Sequence, residues 1–306
     1  MDKTYDRRGQ DVGNIVALEH VNVRVPDQVL ATAFYVQGLG FTRDPYVMVG
    51  IENMWMNLGQ EQFHLPTGKP QVLRGHVGVV VPDLEALKAR LESVRPKLAG
   101  TMFGYAVEDK HVQVTCPWGN RIRCYAPGPE WGELTLGMVY VEFDVKPGDA
   151  EGIQRFYETV LGAPASVVPE AAGTAARVRI GGQRQELIFR ETAEEIPPYD
   201  GHHIAVYIAN FSGPHAFLKQ HGLVTEESSE IQYRFQDIVD PETRRPLFTI
   251  EHEVRCLTHP MFLRPLVNRN PTQTNRNFSP GHDMLASWAM DPDHFDDQPM
   301  RSEPGQ

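Results

Sequence analysis

The feature that most constrains this chain is a repeat. Residues 19–27 read EHVNVRVPD and residues 75–83 read GHVGVVVPD, near-copies with strict alternation along each. Such period-two patterning marks a strand with two chemically different faces. In the first copy His20, Asn22 and Arg24 share one face and Val21, Val23 and Val25 the other. In the second, His76, Gly78 and Val80 oppose Val77, Val79 and Val81. A strand that recurs implies a supersecondary unit that recurs, so the repeat is traced before any motif is read.

Four units emerge. The first, over 18–66, predicts the His20 strand, a helix over 28–38, and strands at 45–50, 54–58 and 62–66. The second, over 75–126, predicts the His76 strand, a helix begun by Asp83 as N-cap, and strands at 104–108, 112–115 and 121–125, with Gly119-Asn120 supplying the last bend. The third opens at Met138 with VYVEFDV; its helix carries Phe156-Tyr157 and Leu161-Gly162 where the first unit has Phe34-Tyr35 and Leu39-Gly40. The fourth opens with HHIAVYIAN at His202, continues through a helix over 214–221 and closes on PLFTIEHEV. Adjacent units are expected to pair: a polar segment 1–16, a first domain 17–128, a linker over 127–135, a second domain 136–254, and a tail 255–306 rich in Pro, Asn and Asp. That tail is either disordered or an arm on its own domain or on a partner, which leaves room for a homodimer.

Composition narrows the function class. A chain of 306 residues with 41% hydrophobic and 23% charged residues has the make-up of a soluble globular protein. A net charge of −11 argues against nucleic acid and anionic membranes as partners and leaves a small-molecule substrate. No apolar run approaches the ~20 residues of a membrane span, and the first residues lack a signal-peptide core. The three cysteines, Cys116, Cys124 and Cys256, show no zinc-site spacing and fit a reducing compartment, the cytoplasm by default.

Four βαβββ units, a histidine near the start of the opening strands, the FYxxxLG helix and the P-W-G-N-R-I turn over 117–122 together resemble the vicinal oxygen chelate superfamily, over about 18–254. The resemblance implies an α+β fold in which paired βαβββ modules form two half-open β-barrel cups around a divalent metal. It also implies that metal ligands come from the first and last strands of each module.

For the first domain those positions are His20, His64, His76 and Arg123. The three imidazoles are the expected metal ligands. They suit a divalent transition metal, Fe(II) above Zn, Ni, Co, Cu or Mn, with positions left open for substrate. Arg123 cannot ligate and stands where the family carries Glu. It is expected beside the metal as a catalytic and anion-binding group, with Tyr125 catalytic and Asn22 and Arg121 contacting substrate. In the second domain the matched positions are Tyr140, a residue near 186–188, His203 and Glu251, a weaker iron site. His202 is expected to face outward. The Met54/Met56 face of its strand is expected in the core. The resemblance then implies a metal-dependent enzyme, a non-haem-iron dioxygenase on a small anionic substrate with adjacent oxygens. The alternatives are a glyoxalase-like lyase or isomerase, and a small-molecule binding protein without catalysis.

Overall fold

The computed structural model describes residues 11–44, 52–132, 134–181 and 185–264. The expected strand at 45–50, most of the polar N-terminal segment, and the tail beyond 264 with His282 and His294 lie outside the described residues.

Each module has the strand–helix–three-strand form. Module one holds β1 (Ile15–Asn22), α1 (Gln28–Ala31) running on as a π-helical turn (Thr32–Gly38), β2 (Thr42–Arg43), β3 (Asn53–Leu58) and β4 (Glu61–Pro66). Module two holds β5 (Gly75–Val80), α2 (Leu84–Val94), β6 (Gly104–Val107), β7 (Val112–Thr115) and β8 (Arg121–Tyr125). Module three holds β9 (Gly137–Val145), α3 (Ala150–Thr159), β10 (Ala165–Val168), β11 (Ala175–Ile180) and β12 (Gln185–Glu191). Module four holds β13 (His203–Ile208), α4 (Ser212–Gln220), β14 (Val224–Ser229), β15 (Gln232–Val239) and β16 (Pro246–Cys256). Asp83 caps α2 as expected, its carboxylate accepting from the amides of Glu85 and Ala86. The Leu-Gly of the FYxxxLG motif is a helix stop. Gly40 and Gly162 both adopt positive φ, +82° and +65°, which glycine reaches without a Cβ clash.

The modules do not pair as neighbours in sequence. One eight-stranded sheet runs β14-β15-β16-β13-β1-β4-β3-β2 and joins module four to module one; the other runs β10-β11-β12-β9-β5-β8-β7-β6 and joins three to two. The expected domains 17–128 and 136–254 are therefore not the units that share a sheet. Every opening strand presents an apolar face rich in Val or Ile and an edge that its own module leaves unpaired, so patterning alone fits either partner. Consecutive modules one and two meet through their helices instead: Val94 packs over Gly38, and the Arg90 guanidinium donates to the carbonyl of Leu39.

The strand faces sort as the alternation requires. Val21, Val23, Val77, Val79, Val141, Phe143, Ile204 and Val206 join one continuous core with the helices and with Met54 and Met56. The opposite faces of β1, β4, β13 and β16 line one cup, and those of β5, β8, β9 and β12 line the other. His202 departs from expectation. It is fully buried, with Nδ1 2.6 Å from Asp200 Oδ1.

Candidate metal centre

Strand register builds the first cup. In β1, His20 lies opposite Gln62 of β4, and Asn22 lies opposite His64. Across the module boundary His20 faces Ala205 and Asn22 faces His203 of β13. In turn Glu251 and Glu253 of β16 lie beside His203 and Ala205. Three adjacent strands thus bring His20, His64 and His203 together, with one ring nitrogen of each within 4.8 Å of the others. His20 Nε2 and His203 Nε2 are 3.4 Å apart. Two imidazoles on one tetrahedral ion, each bonded at about 2.0–2.1 Å, would place their nitrogens at about that separation.

The rings are held from behind. His20 Nδ1 lies 3.8 Å from Glu19 Oε2, and His203 Nδ1 lies 3.4 Å from Glu251 Oε1. A carboxylate behind Nδ1 orients an imidazole so that Nε2 faces the ligand point. His64 stacks on Trp55 at 3.8 Å and 15°, and its Nε2 lies 2.5 Å from Asn53 Oδ1. Burial holds His64 well below the ordinary imidazole range, and the closeness of the His20 and His203 rings adds to it; burial likewise lowers His203. Neutral imidazole is the form with a lone pair to give.

Glu253 stands at the edge of this group, its Oε2 3.5 Å from His203 Nε2. Burial alone would raise its carboxyl. The Arg255 guanidinium, the His203 hydrogen bond, the neighbouring His20 and the Arg234 guanidinium outweigh it and hold Glu253 well below the usual carboxylate range. Arg234 bridges Glu253 and Glu251, and Arg255 bridges Glu253 and Glu19. Asn22 remains beside the histidines, with Oδ1 buried and without a hydrogen-bond partner among the described residues.

His76, Arg123 and Tyr125 are not there. They belong to the other sheet, because module two pairs with module three. Matching the two registers strand for strand, His76 occupies the place of His20, Arg123 of His64, Gly78 of Asn22, Tyr140 of His203 and Ile188 of Glu253. A guanidinium, a phenol and an alkyl chain replace three of the four ligand positions, so this cup has one imidazole. Nor does Tyr140 share a site with His203, as the second-domain reading expects. Arg121 sits at the rim, its Nη2 3.4 Å from Asp144 Oδ2 and 3.2 Å from the Gly75 carbonyl. The residues that sequence reasoning missed are His203 and Glu253 as partners of His20 and His64. Their only signal is that HHIAVYIAN is itself an opening strand with a histidine at its start.

No family model matches the sequence, and no curated protein matches it. The fold, however, has clear counterparts. Glyoxalase I from Zea mays superposes with a TM-score of 0.55 at 16% identity, over 83% of this chain and 96% of that one. A Bacillus subtilis protein provisionally described as a dioxygenase superposes with a TM-score of 0.53 at 14% identity, over 79% of this chain and 86% of that one. The fold is therefore the one seen in glyoxalase I. Half-open cups built from paired βαβββ modules are thus observed as expected, with the pairing of modules revised. Among the described residues, no helix is long and apolar enough to cross a membrane.

Proposed function

We propose that this chain is a metal-dependent enzyme of the vicinal oxygen chelate type. His20, His64 and His203 hold the ion, Glu253 stands at the fourth position, and the reaction is dioxygenase-like on a small substrate with two adjacent oxygens. The observation that carries the reading is the convergence of three imidazoles, two buried and one half-buried, from three strands on one point. Bound there, a divalent ion supplies Lewis acidity and, as Fe(II), one-electron chemistry toward dioxygen.

The protein's own part is to hold, orient and balance charge. Glu251 stands behind His203 and Glu19 lies near His20, while Trp55 holds His64 by stacking. Around the histidines the formal charges are those of Glu19, Glu251 and Glu253 against Arg234 and Arg255. The surplus is one negative charge, so a divalent ion turns it into one positive charge. A singly deprotonated catechol or enol neutralises that, which favours an anionic chelating substrate. Asn22 Oδ1, lacking a partner among the described residues, is placed to accept a hydrogen bond from such a substrate.

An isomerase of the glyoxalase type would need a carboxylate that takes and returns a proton near neutral pH. Glu253 is locked between two guanidiniums and held far below that range, which favours the oxygenase reading. A binding protein without catalysis would not need the ion.

The test uses tag-free protein loaded anaerobically with Fe(II), then mixed with oxygenated buffer and a panel of catechols and 2-oxo acids. Oxygen uptake that requires both iron and an adjacent-oxygen substrate is the expected result. Isomerisation of a 2-oxoaldehyde thiol adduct without oxygen uptake would replace the oxygenase reading with the isomerase one. A protein that takes up no divalent ion would overturn both.

A further inference from the structure

The second cup lacks the metal-ligating set of the first yet remains a cup. Arg123, Tyr125, Trp131, Val139, Tyr140 and Ile188 line a concavity of about 220 Å³, with Glu142, Glu186, Arg177 and Arg190 around them. Most of its charges are already spent on one another. Arg190 makes a two-point pair with Glu142, at 2.8 and 3.0 Å, and reaches Glu170 at 3.0 Å. Arg177 bridges Glu170, at 2.8 Å, and Glu186. Arg123 is different. Its Nε donates to the Gln113 amide oxygen at 3.2 Å, and no carboxylate among the described residues pairs with it. A guanidinium offers five donors in a fork that matches a carboxylate, so most of its donors stay available to a ligand.

The neighbours of Arg123 are neutral and can donate or accept. Burial, and then the Arg123 charge, push His76 down to about 2, while burial raises the Tyr140 phenol. Tyr140 Oη lies 3.1 Å from His76 Nε2 and 2.8 Å from Tyr125 Oη, so the two hydroxyls and the ring nitrogen form a relay that ends on Tyr125 at the cup wall. Gly78 makes the relay fit. A Cβ there would lie 2.2 Å from the Tyr140 ring. The remaining walls are an indole, Val139 and Ile188, which suit a flat apolar body.

We propose that the second cup is a metal-free binding site for a small monocyclic aromatic carboxylate. The carboxylate pairs with Arg123, the Tyr125 hydroxyl donates to it, and the ring lies against Trp131 and Ile188. The volume is below the roughly 300–1,000 Å³ of pockets for drug-sized ligands, hence one ring rather than two. This site is separate from the histidine centre and does not depend on its assignment.

The test uses the full chain stripped of metal with a chelator, so that the first cup cannot hold the anion through an ion. Benzoate is titrated by calorimetry, with benzyl alcohol as the uncharged control and inorganic phosphate as an anion without a ring. One benzoate per chain is expected, with at least tenfold weaker binding of both controls. Arg123→Gln should weaken benzoate at least tenfold and Tyr125→Phe by a few fold, while His203→Ala leaves it unchanged. Phenylglyoxal labelling of Arg123 in the wild-type protein, mapped by mass spectrometry, reads the same contact without a variant and should fall as benzoate is added. Absence of benzoate binding, unchanged labelling at saturating benzoate, or loss of binding in His203→Ala rather than Arg123→Gln would each overturn the proposal. Equal binding of phosphate would replace the aromatic carboxylate with a general anion and overturn the ligand class.

Discussion

His20 and His203 stand 183 positions apart in the chain, yet their Nε2 atoms face each other at 3.4 Å across the β1–β13 boundary. No local interaction draws them together. The contact exists because module one shares a sheet with module four, and it decides which histidines can act as a set.

The first prediction separates the two cups. His203→Ala should lose at least about 100-fold in affinity for Zn(II) or Fe(II), since removing a direct ligand should cost more than the 10–100-fold typical of outer-shell changes. His76→Ala should keep wild-type affinity, because His76 lies in the other sheet against Tyr140. Competition against a chromophoric chelator reads both. Metal loss in His76→Ala with retention in His203→Ala would return the ion to the other cup.

A second prediction concerns the group behind His203. Glu251 Oε1 lies 3.4 Å from Nδ1 and 2.6 Å from Arg234 Nη1. Glu251→Gln preserves shape but removes the charge that makes Nε2 a better donor. Affinity should fall about 10–100-fold with one ion per chain still bound at saturation, measured by the same competition. An unchanged affinity would mean that Glu251 serves Arg234 alone.

Much of this molecule is legible in its sequence. Alternation in EHVNVRVPD and GHVGVVVPD assigns His20 and His76 to the concave faces and the valines to the core, and FYxxxLG marks two helix stops at Gly40 and Gly162. His64 is also readable, two positions beyond the partner of His20 on a parallel neighbour. Module pairing is not readable in this way. The edges of β1, β5, β9 and β13 are chemically alike, so the partner is chosen by tertiary packing that leaves no local period. His76, Arg123 and Tyr125 are grouped with His20 for that one reason, His203 is grouped with Tyr140 instead of His20, and Glu253 is not singled out. The unlike characters of the two cups, with Tyr140 and Ile188 at the positions of His203 and Glu253, become visible only after the registers are aligned.

The Gly78–Tyr140 contact gives a third prediction. Gly78→Ala would set a Cβ 2.2–2.5 Å from the Tyr140 ring, with Val80 and Val139 packed nearby in the same cluster. Overpacking of this kind costs about 1–3 kcal/mol, read from urea unfolding. In the Tyr140→Ala background the same change should cost much less, because the ring that it strikes is gone. Additive effects in the double variant would show that the strain is borne by backbone rather than by the ring.

The last prediction concerns the joint between the two sheets. Glu61 at the start of β4 is buried; its Oε2 accepts the Met138 amide of β9 at 2.9 Å, and its Oε1 accepts from the Gln185 side chain of β12 at 2.7 Å. Burial pushes its carboxyl from an ordinary 4.5 up to about 7, against the opposing pull of those hydrogen bonds. The folded state thus keeps a proton that the unfolded chain gives up near 4.5. This group's contribution is fully present below about pH 4.5 and is lost as pH rises toward 7. The difference corresponds to about 3 kcal/mol. Whole-protein stability will not display it directly, because buried neutral histidines such as His252, pushed down to about 4, act with the opposite sign as pH falls below 6.5. The quantity to measure is the unfolding free energy of Glu61→Gln minus that of wild type between pH 5 and pH 8. Glutamine is neutral throughout and loses one acceptor, so the variant should be the less stable protein at pH 5 and should gain on wild type by about 2.5 kcal/mol by pH 8. A difference that stays flat within about 0.5 kcal/mol across that range would mean that Glu61 ionises as an ordinary surface carboxylate does, and that the joint between the sheets is open to water.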